Sequence, residues 1–149
     1  MSKPNHHLIH ANVALARASL DHPRMADFVR QADAIDALAR QSPGFVGQPT
    51  PADEGQTFTD RALLNLSIWT SVESLEAFTH TGRHALVLQR RADWFLPQDG
   101  PNYVLYWAPA GHTPTEAEIA ARLHYLAHHG PTPYAFTFDR PYTAVQALA

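Results

Sequence analysis

From Leu63 to Trp69 the chain alternates without interruption, with Leu64, Leu66 and Ile68 on one side and Leu63, Asn65, Ser67 and Trp69 on the other. Period-two alternation places successive side chains on opposite faces of a strand. A large indole beside an amide and a hydroxyl makes a poor solvent face, so the second side is expected to line a cavity. Thr70 and Glu73 follow with capping-box spacing, which predicts that the strand runs directly into a helix. The stretch Leu63–Phe95 therefore reads as a strand and a two-part helix, with Gly82 at the break.

The remaining elements can be placed around it. Leu8 to Ala14 predicts a first strand with the same asymmetry: Ile9, Ala11 and Val13 on an aliphatic face, Leu8, His10 and Asn12 on a mixed one. A helix is expected from Pro23, whose fixed φ suits a first turn, with an apolar stripe through Phe28, Ala32, Ile35 and Ala39. Ser42-Pro43-Gly44 ends it, and Phe45 to Gln48 predicts a short strand. Pro49 to Arg61 is polar and aperiodic, and reads as a mobile surface loop. Tyr103 to Ala108 predicts a last strand, with aromatics on both faces. Thr113 is expected to cap a final helix, with Pro114 at its first position, Glu116 at its third, and an end near His129 before Gly130-Pro131. Tyr134, Phe136 and Phe138 alternate in a tail expected to dock on the body or on a partner.

The order βαββαβ with an extra C-terminal helix predicts an α+β, ferredoxin-like antiparallel sheet over the single domain 1–149, with helices on one face. Leu8, Leu63 and Trp69 would then lie on an uncovered face, so a homodimer is expected to bury them.

Composition removes several classes of function. The net charge of -3 over 149 residues lacks the surplus of Lys and Arg that a nucleic-acid platform needs. With no cysteine there is no disulfide, thiolate metal site or Cys nucleophile. No apolar run approaches the ~20 residues that span a bilayer, and the start MSKPNHH lacks a secretion-type apolar segment, so a cytoplasmic location is expected. Ten histidines are many for this length. His80 and His84 have i, i+4 spacing but no third ligand in register, so no metal site is expected. His84 or His10 could instead act as a neutral base. Asn65, Ser67, Trp69, Tyr103, Trp107 and Trp94 are the expected walls for a small-molecule ligand. Arg90 and Arg91 precede Trp94-Phe95, and Arg91 is a candidate anion contact.

Four segments together carry a family resemblance: W-x-S-x-E-x-L-x-x-F (Trp69 to Phe78), R-H-x-x-x-L-x-R-R-x-x-W-F (Arg83 to Phe95), P-A-G-H-x-P-T (Pro109 to Thr115) and G-P-T-P-x-A-F-T-F (Gly130 to Phe138). They make the chain resemble the domain of unknown function 3291 family. Its architecture is similar to the dimeric α/β-barrel superfamily, which includes antibiotic-biosynthesis monooxygenases that use no cofactor and haem-degrading monooxygenases. The resemblance implies a cofactor-free monooxygenase acting on an aromatic or hydrophobic molecule, with His84, His10 and Asn12 as catalytic candidates. It also implies an alternative, haem binding or degradation, because haem-degrading members use an Asn on the first strand, a Trp at the end of the third and a His on the next helix. Asn12, Trp69 and His84 are of those types, although Trp69 and His84 stand fifteen residues apart, wider than in that pattern. A non-catalytic, small-ligand-binding dimer is the third reading.

Overall fold

The computed structural model describes residues 5–58, 62–80 and 90–148. Its core is a four-stranded sheet of β1 (His6–Leu15), β2 (Phe45–Gly47), β3 (Ala62–Trp69) and β4 (Tyr103–Pro109), in the order β2-β3-β1-β4. Every pairing is antiparallel, which gives the mixed α+β, ferredoxin-like architecture. The register sets residues side by side in rows across three strands: Trp69, Leu8 and Trp107; Ser67, His10 and Leu105; Asn65, Asn12 and Tyr103.

A 3₁₀ turn at Pro23–Met25, capped by the His22 side chain, leads into α1 (Ala26–Gln41). The helix stops at Ser42, and Gly44 then turns the chain into β2 at φ +83°. A Cβ at Gly44 would collide with the Ser74 side chain, so both the backbone angle and the close approach require glycine. The next helix, α2 (Val72–Thr79), is capped by Ser71, whose hydroxyl accepts from the Ser74 amide; the cap is one residue later than the Thr70 expected. A short α3 (Arg91–Trp94) precedes β4. The last long helix, α4 (Glu116–His129), is capped by Thr115 rather than Thr113 and ends at Gly130, followed by α5 (Ala144–Leu148). Among the described residues no helix is long and apolar enough to cross a membrane.

Both faces of the sheet carry helices, which differs from the one-sided arrangement expected. The aliphatic residues Ile9, Ala11, Leu66, Ile68 and Val104 pack on Ile119 and Leu126 of α4. On the mixed face, Leu8, Trp69 and Leu105 cluster with Ile35 and Ala39 of α1 and with Leu75 and Phe78 of α2. The reason lies in how that face is composed along its length. Its large apolar groups gather toward Trp69 and offer the helices a landing surface, where a fully buried side chain of this size contributes about 1.5–3 kcal/mol; its polar groups gather toward Asn65, where β3 is less covered. Leu8 and Trp69 are thus fully buried within one chain, and the need for a second copy to cover them falls away.

The tail docks as expected. Phe136 exchanges two backbone hydrogen bonds of 2.9 Å with Leu105 at the outer edge of β4 and is fully buried. A third cluster closes the other end of the sheet, where Met25, Ala16 and Trp94 pack together and Arg17 N donates to Trp94 O at 2.8 Å.

Candidate active site

The polar end of the mixed face opens into a cleft of ≈ 1540 Å³ whose lining includes His10, Asn12, Asn65 and Tyr103. His10 is nearly buried, and its Nδ1 lies 3.3 Å from Ser67 Oγ. The same Ser67 oxygen accepts the Trp69 indole N–H at 2.9 Å. Because an indole N–H only donates, it fills one Ser67 lone pair and fixes where the hydroxyl sits, and thereby where the imidazole is held. Tyr103 stands with its ring centroid 6.1 Å from that of His10, and its oxygen accepts the Phe138 amide at 3.2 Å. Burial, with the Asp139 charge, raises the phenol above its ordinary 10.0 despite that amide, so Tyr103 keeps its hydroxyl proton across the physiological range.

The remaining expected site residues fall into different places. Arg91 lines the cleft and is exposed. Ser67 is buried beneath His10 as a support. Trp69 has 0% exposure and packs between the Phe45 and Phe78 rings, at centroid distances of 5.4 and 5.2 Å, so it belongs to the core rather than the cleft wall. Trp94 is likewise a core residue, packed on Phe28 with the Arg90 guanidinium 4.6 Å above its ring. Trp107 donates its indole N–H to Tyr142 O at 2.8 Å and faces a small recess beside Pro141, away from the main cleft. In each case the aromatic ring found apolar partners on helices or tail that periodicity could not reveal. On β4 it is Tyr103 that reaches the cleft; Tyr106 points to α4, where its hydroxyl donates to Glu118. His84 lies outside the described residues. Trp69, enclosed by Phe45 and Phe78, presents no face to a macrocycle. No group of three or more His, Asp or Glu side chains among the described residues is placed to hold a metal ion.

One feature of the cleft had no sequence signal. The loop after β2, expected to be mobile, is clasped onto the start of α4 by two carboxylates. Asp53 accepts from the Glu116 and Ala117 amides at 2.6 and 3.1 Å. Glu116 in return accepts from Gly55 at 2.8 Å and from Thr57 and Phe58 at 3.1 Å each. Asp53 thus serves a helix N-terminus that has orphan amides, and Glu116 serves loop amides that have no ladder partner. For Glu116, burial works against the charged form, but the three amides outweigh it and hold the carboxyl below its ordinary 4.5. The Glu116 amide chiefly holds Asp53 below 3.8. A depressed folded pKa contributes stability above the unfolded value and loses it as pH falls through the folded one. We therefore expect Glu116→Gln to lower stability by about 1–2 kcal/mol at pH 7, the scale of weakened charge-assisted bonds. The difference from wild type should narrow as denaturation is measured toward pH 3. A gap that stays constant with pH would show that the Glu116 charge contributes nothing to the clasp.

No curated protein matches the chain. Solved structures share its fold at low identity. A candidate antibiotic biosynthesis monooxygenase from Nitrosomonas europaea superposes with a TM-score of 0.53 at 11% identity, covering 77% of this chain and 99% of that one. A conserved protein from Methanosarcina mazei Go1 gives 0.51 at 8% identity, covering 68% and 90%. SnoaB, a cofactor-independent oxygenase from Streptomyces nogalater, superposes less closely, at 0.47 and 12% identity over 74% and 97%. The first two likenesses establish the fold, and a fold by itself does not select a reaction. The family assignment rests on sequence: the model of Domain of unknown function (DUF3291) matches residues 7–149, and the chain belongs to that family.

Proposed function

We propose that this chain is a small-molecule enzyme of the cofactor-independent monooxygenase kind, acting on an electron-rich aromatic substrate laid over the polar end of the sheet. The observation that carries the reading is His10, held by Ser67 at 3.3 Å and opening onto a cleft floored by Asn12, Asn65 and Tyr103. The likeness to a fold neighbour named for antibiotic biosynthesis monooxygenases supports it.

The chemistry follows from the donor set. As a neutral base held beside Ser67, the His10 imidazole takes the phenolic proton. The phenolate passes an electron to O₂, the two radicals combine at the ring carbon, and loss of water leaves a quinone. One oxygen atom enters the product and the other departs as water with the two hydrogens removed. Asn12 and Asn65 amides and the Tyr103 hydroxyl are the donors available to the substrate oxygens as charge builds there.

The test is oxygen uptake by the purified protein with no added cofactor, across a panel of anthrones, naphthols and hydroquinones. Uptake above the spontaneous rate, with one quinone formed per O₂, is expected for the panel members that bind. Bound ligands recovered unchanged after aerobic incubation would assign the cleft to storage or sensing instead. Uptake that begins only on addition of flavin or haem would remove the cofactor-free reading.

A further inference from the structure

Two guanidiniums line the cleft with no ion-paired acid among the described residues. Arg17 and Arg91 are the arginines among the described residues that line it. Other arginines are engaged: Arg30 with Asp27, Arg90 with Asp27 and Asp93, and Arg122 between the Tyr106 and Tyr134 rings at 4.3 and 3.8 Å. Among the described residues neither Arg17 nor Arg91 makes an ion pair.

The fold sets Arg17 beside the backbone of the short helix that carries Arg91. Leu96 N donates to Leu15 O and Arg17 N to Trp94 O, both at 2.8 Å, which zips the end of β1 to the segment leaving α3. Arg17 Nε then donates to Ala92 O at 2.9 Å, fixing the guanidinium beside the residue that follows Arg91 and leaving its terminal NH₂ groups for another acceptor. Leu20 and Phe95 line the cleft on the segments that carry the two arginines, and Phe28 of α1 lines it against Phe95 at a centroid distance of 4.9 Å, so apolar groups border the charge.

The cleft's acids stand on other elements and are mostly engaged. Glu116 is held in the loop clasp, Glu76 faces His80 at 3.9 Å and Asp36 accepts from Gln48 at 3.1 Å; Glu54 and Asp139 lie on the loop and the tail. An anionic ligand would be drawn to the arginine end and repelled from the rest, which gives it one orientation. From Asn12 to Arg17 is five residues, roughly 16 Å of extended chain. Arg17 lies past the end of β1, in the bend after Ala16, and a ligand that reaches it from Asn12 is an elongated ring system rather than one small ring.

We propose that the substrate is an aromatic carboxylic acid, its carboxylate taken by Arg17 and Arg91 and its electron-rich end presented to His10 and Asn12. The planar guanidinium fork matches a planar carboxylate in two parallel hydrogen bonds. The assignment rests on the cleft being the substrate site as read above, and names the class of molecule it takes.

The test is binding under nitrogen, so that it does not depend on turnover. The probes are 6-hydroxy-2-naphthoate, which carries its hydroxyl and carboxylate at opposite ends, the corresponding amide and 6-hydroxy-2-naphthyl phosphate, titrated by fluorescence. Wild type is expected to bind the acid at least about tenfold more tightly than the amide, with the preference shrinking as salt rises. Arg17→Gln/Arg91→Gln should abolish the preference, and a circular dichroism spectrum and melting temperature matching wild type report that the variant is folded. Arg91→Gln alone changes an exposed side chain and should remove part of the preference. Equal binding of acid and amide by wild type, absence of acid binding at millimolar concentration, or an acid preference that survives both substitutions would overturn the proposal. A phosphate bound more tightly than the carboxylate would overturn the carboxylate assignment. Acid preference without oxygen uptake would leave this inference standing while the oxygenase reading fails; uptake from neutral naphthols with no acid preference would do the reverse.

Discussion

Replacing Trp69 with alanine is expected to cost about 3–5 kcal/mol of folding stability, the range for emptying a large aromatic site in a core. The side chain has 0% exposure and contacts the Phe45 and Phe78 rings, which come from separate elements, so no single neighbour can collapse into the space. At roughly 2–4 °C per kcal/mol for a chain of this size, the melting temperature should fall by about 6–20 °C. Trp69→Phe separates packing from hydrogen bonding: most of the ring volume stays, but Ser67 loses the indole N–H that donates to it at 2.9 Å. That variant should lose less stability than Trp69→Ala while loosening the support under His10. If Trp69→Ala melts within 2 °C of wild type, roughly the shift for a loss below 1 kcal/mol, the indole is not a core residue.

The place of this tryptophan also shows how far the amino-acid sequence could be read. The alternation in β1 and β3 was enough to put Leu8 and Trp69 on a mixed face and Ile9 and Ile68 on an aliphatic one, because strand geometry ties side-chain direction to residue parity. Which face the helices would cover was not legible. Polarity is averaged along a face by such a reading, whereas α1 and α2 respond to where on the face the apolar groups gather, at Leu8, Trp69 and Leu105. The helix starts missed by one or two residues for a simpler reason. Thr70 and Ser71 are both competent caps, as are Thr113 and Thr115, and each has an acidic or hydroxyl partner three residues on; tertiary packing chose the second in both pairs. The clasp of Asp53 and Glu116 was invisible because its two carboxylates lie some sixty residues apart and each answers a backbone amide, which carries no residue identity. Arg17 was missed because it follows a strand with no pattern around it; only the pairing of β1 with the segment after α3 brings it beside Ala92. Tyr103, by contrast, was already a candidate wall, and the register set it beside Asn12 on the cleft floor.

His10→Leu is the substitution expected to change activity most. Leucine fills a similar volume in a position that is only 8% exposed, so the fold should survive while the proton acceptor disappears. Removing a positioned base lowers the rate by about 10²–10⁴-fold. The loss should appear in kcat, with KM for any panel substrate that turns over changed by less than about threefold, because an interaction used only in the transition state leaves ground-state binding alone. Ser67→Ala tests the support rather than the base. It removes the hydroxyl 3.3 Å from Nδ1 and leaves the Trp69 N–H without its partner, so the imidazole loses a contact that orients it. A fall in kcat smaller than that of His10→Leu is expected, with little added loss in the double variant, since the serine acts through the histidine. Two independent, additive losses would mean that Ser67 touches the substrate in its own right. A His10→Leu protein that turns over within threefold of wild type would place the base elsewhere and remove His10 from the chemistry.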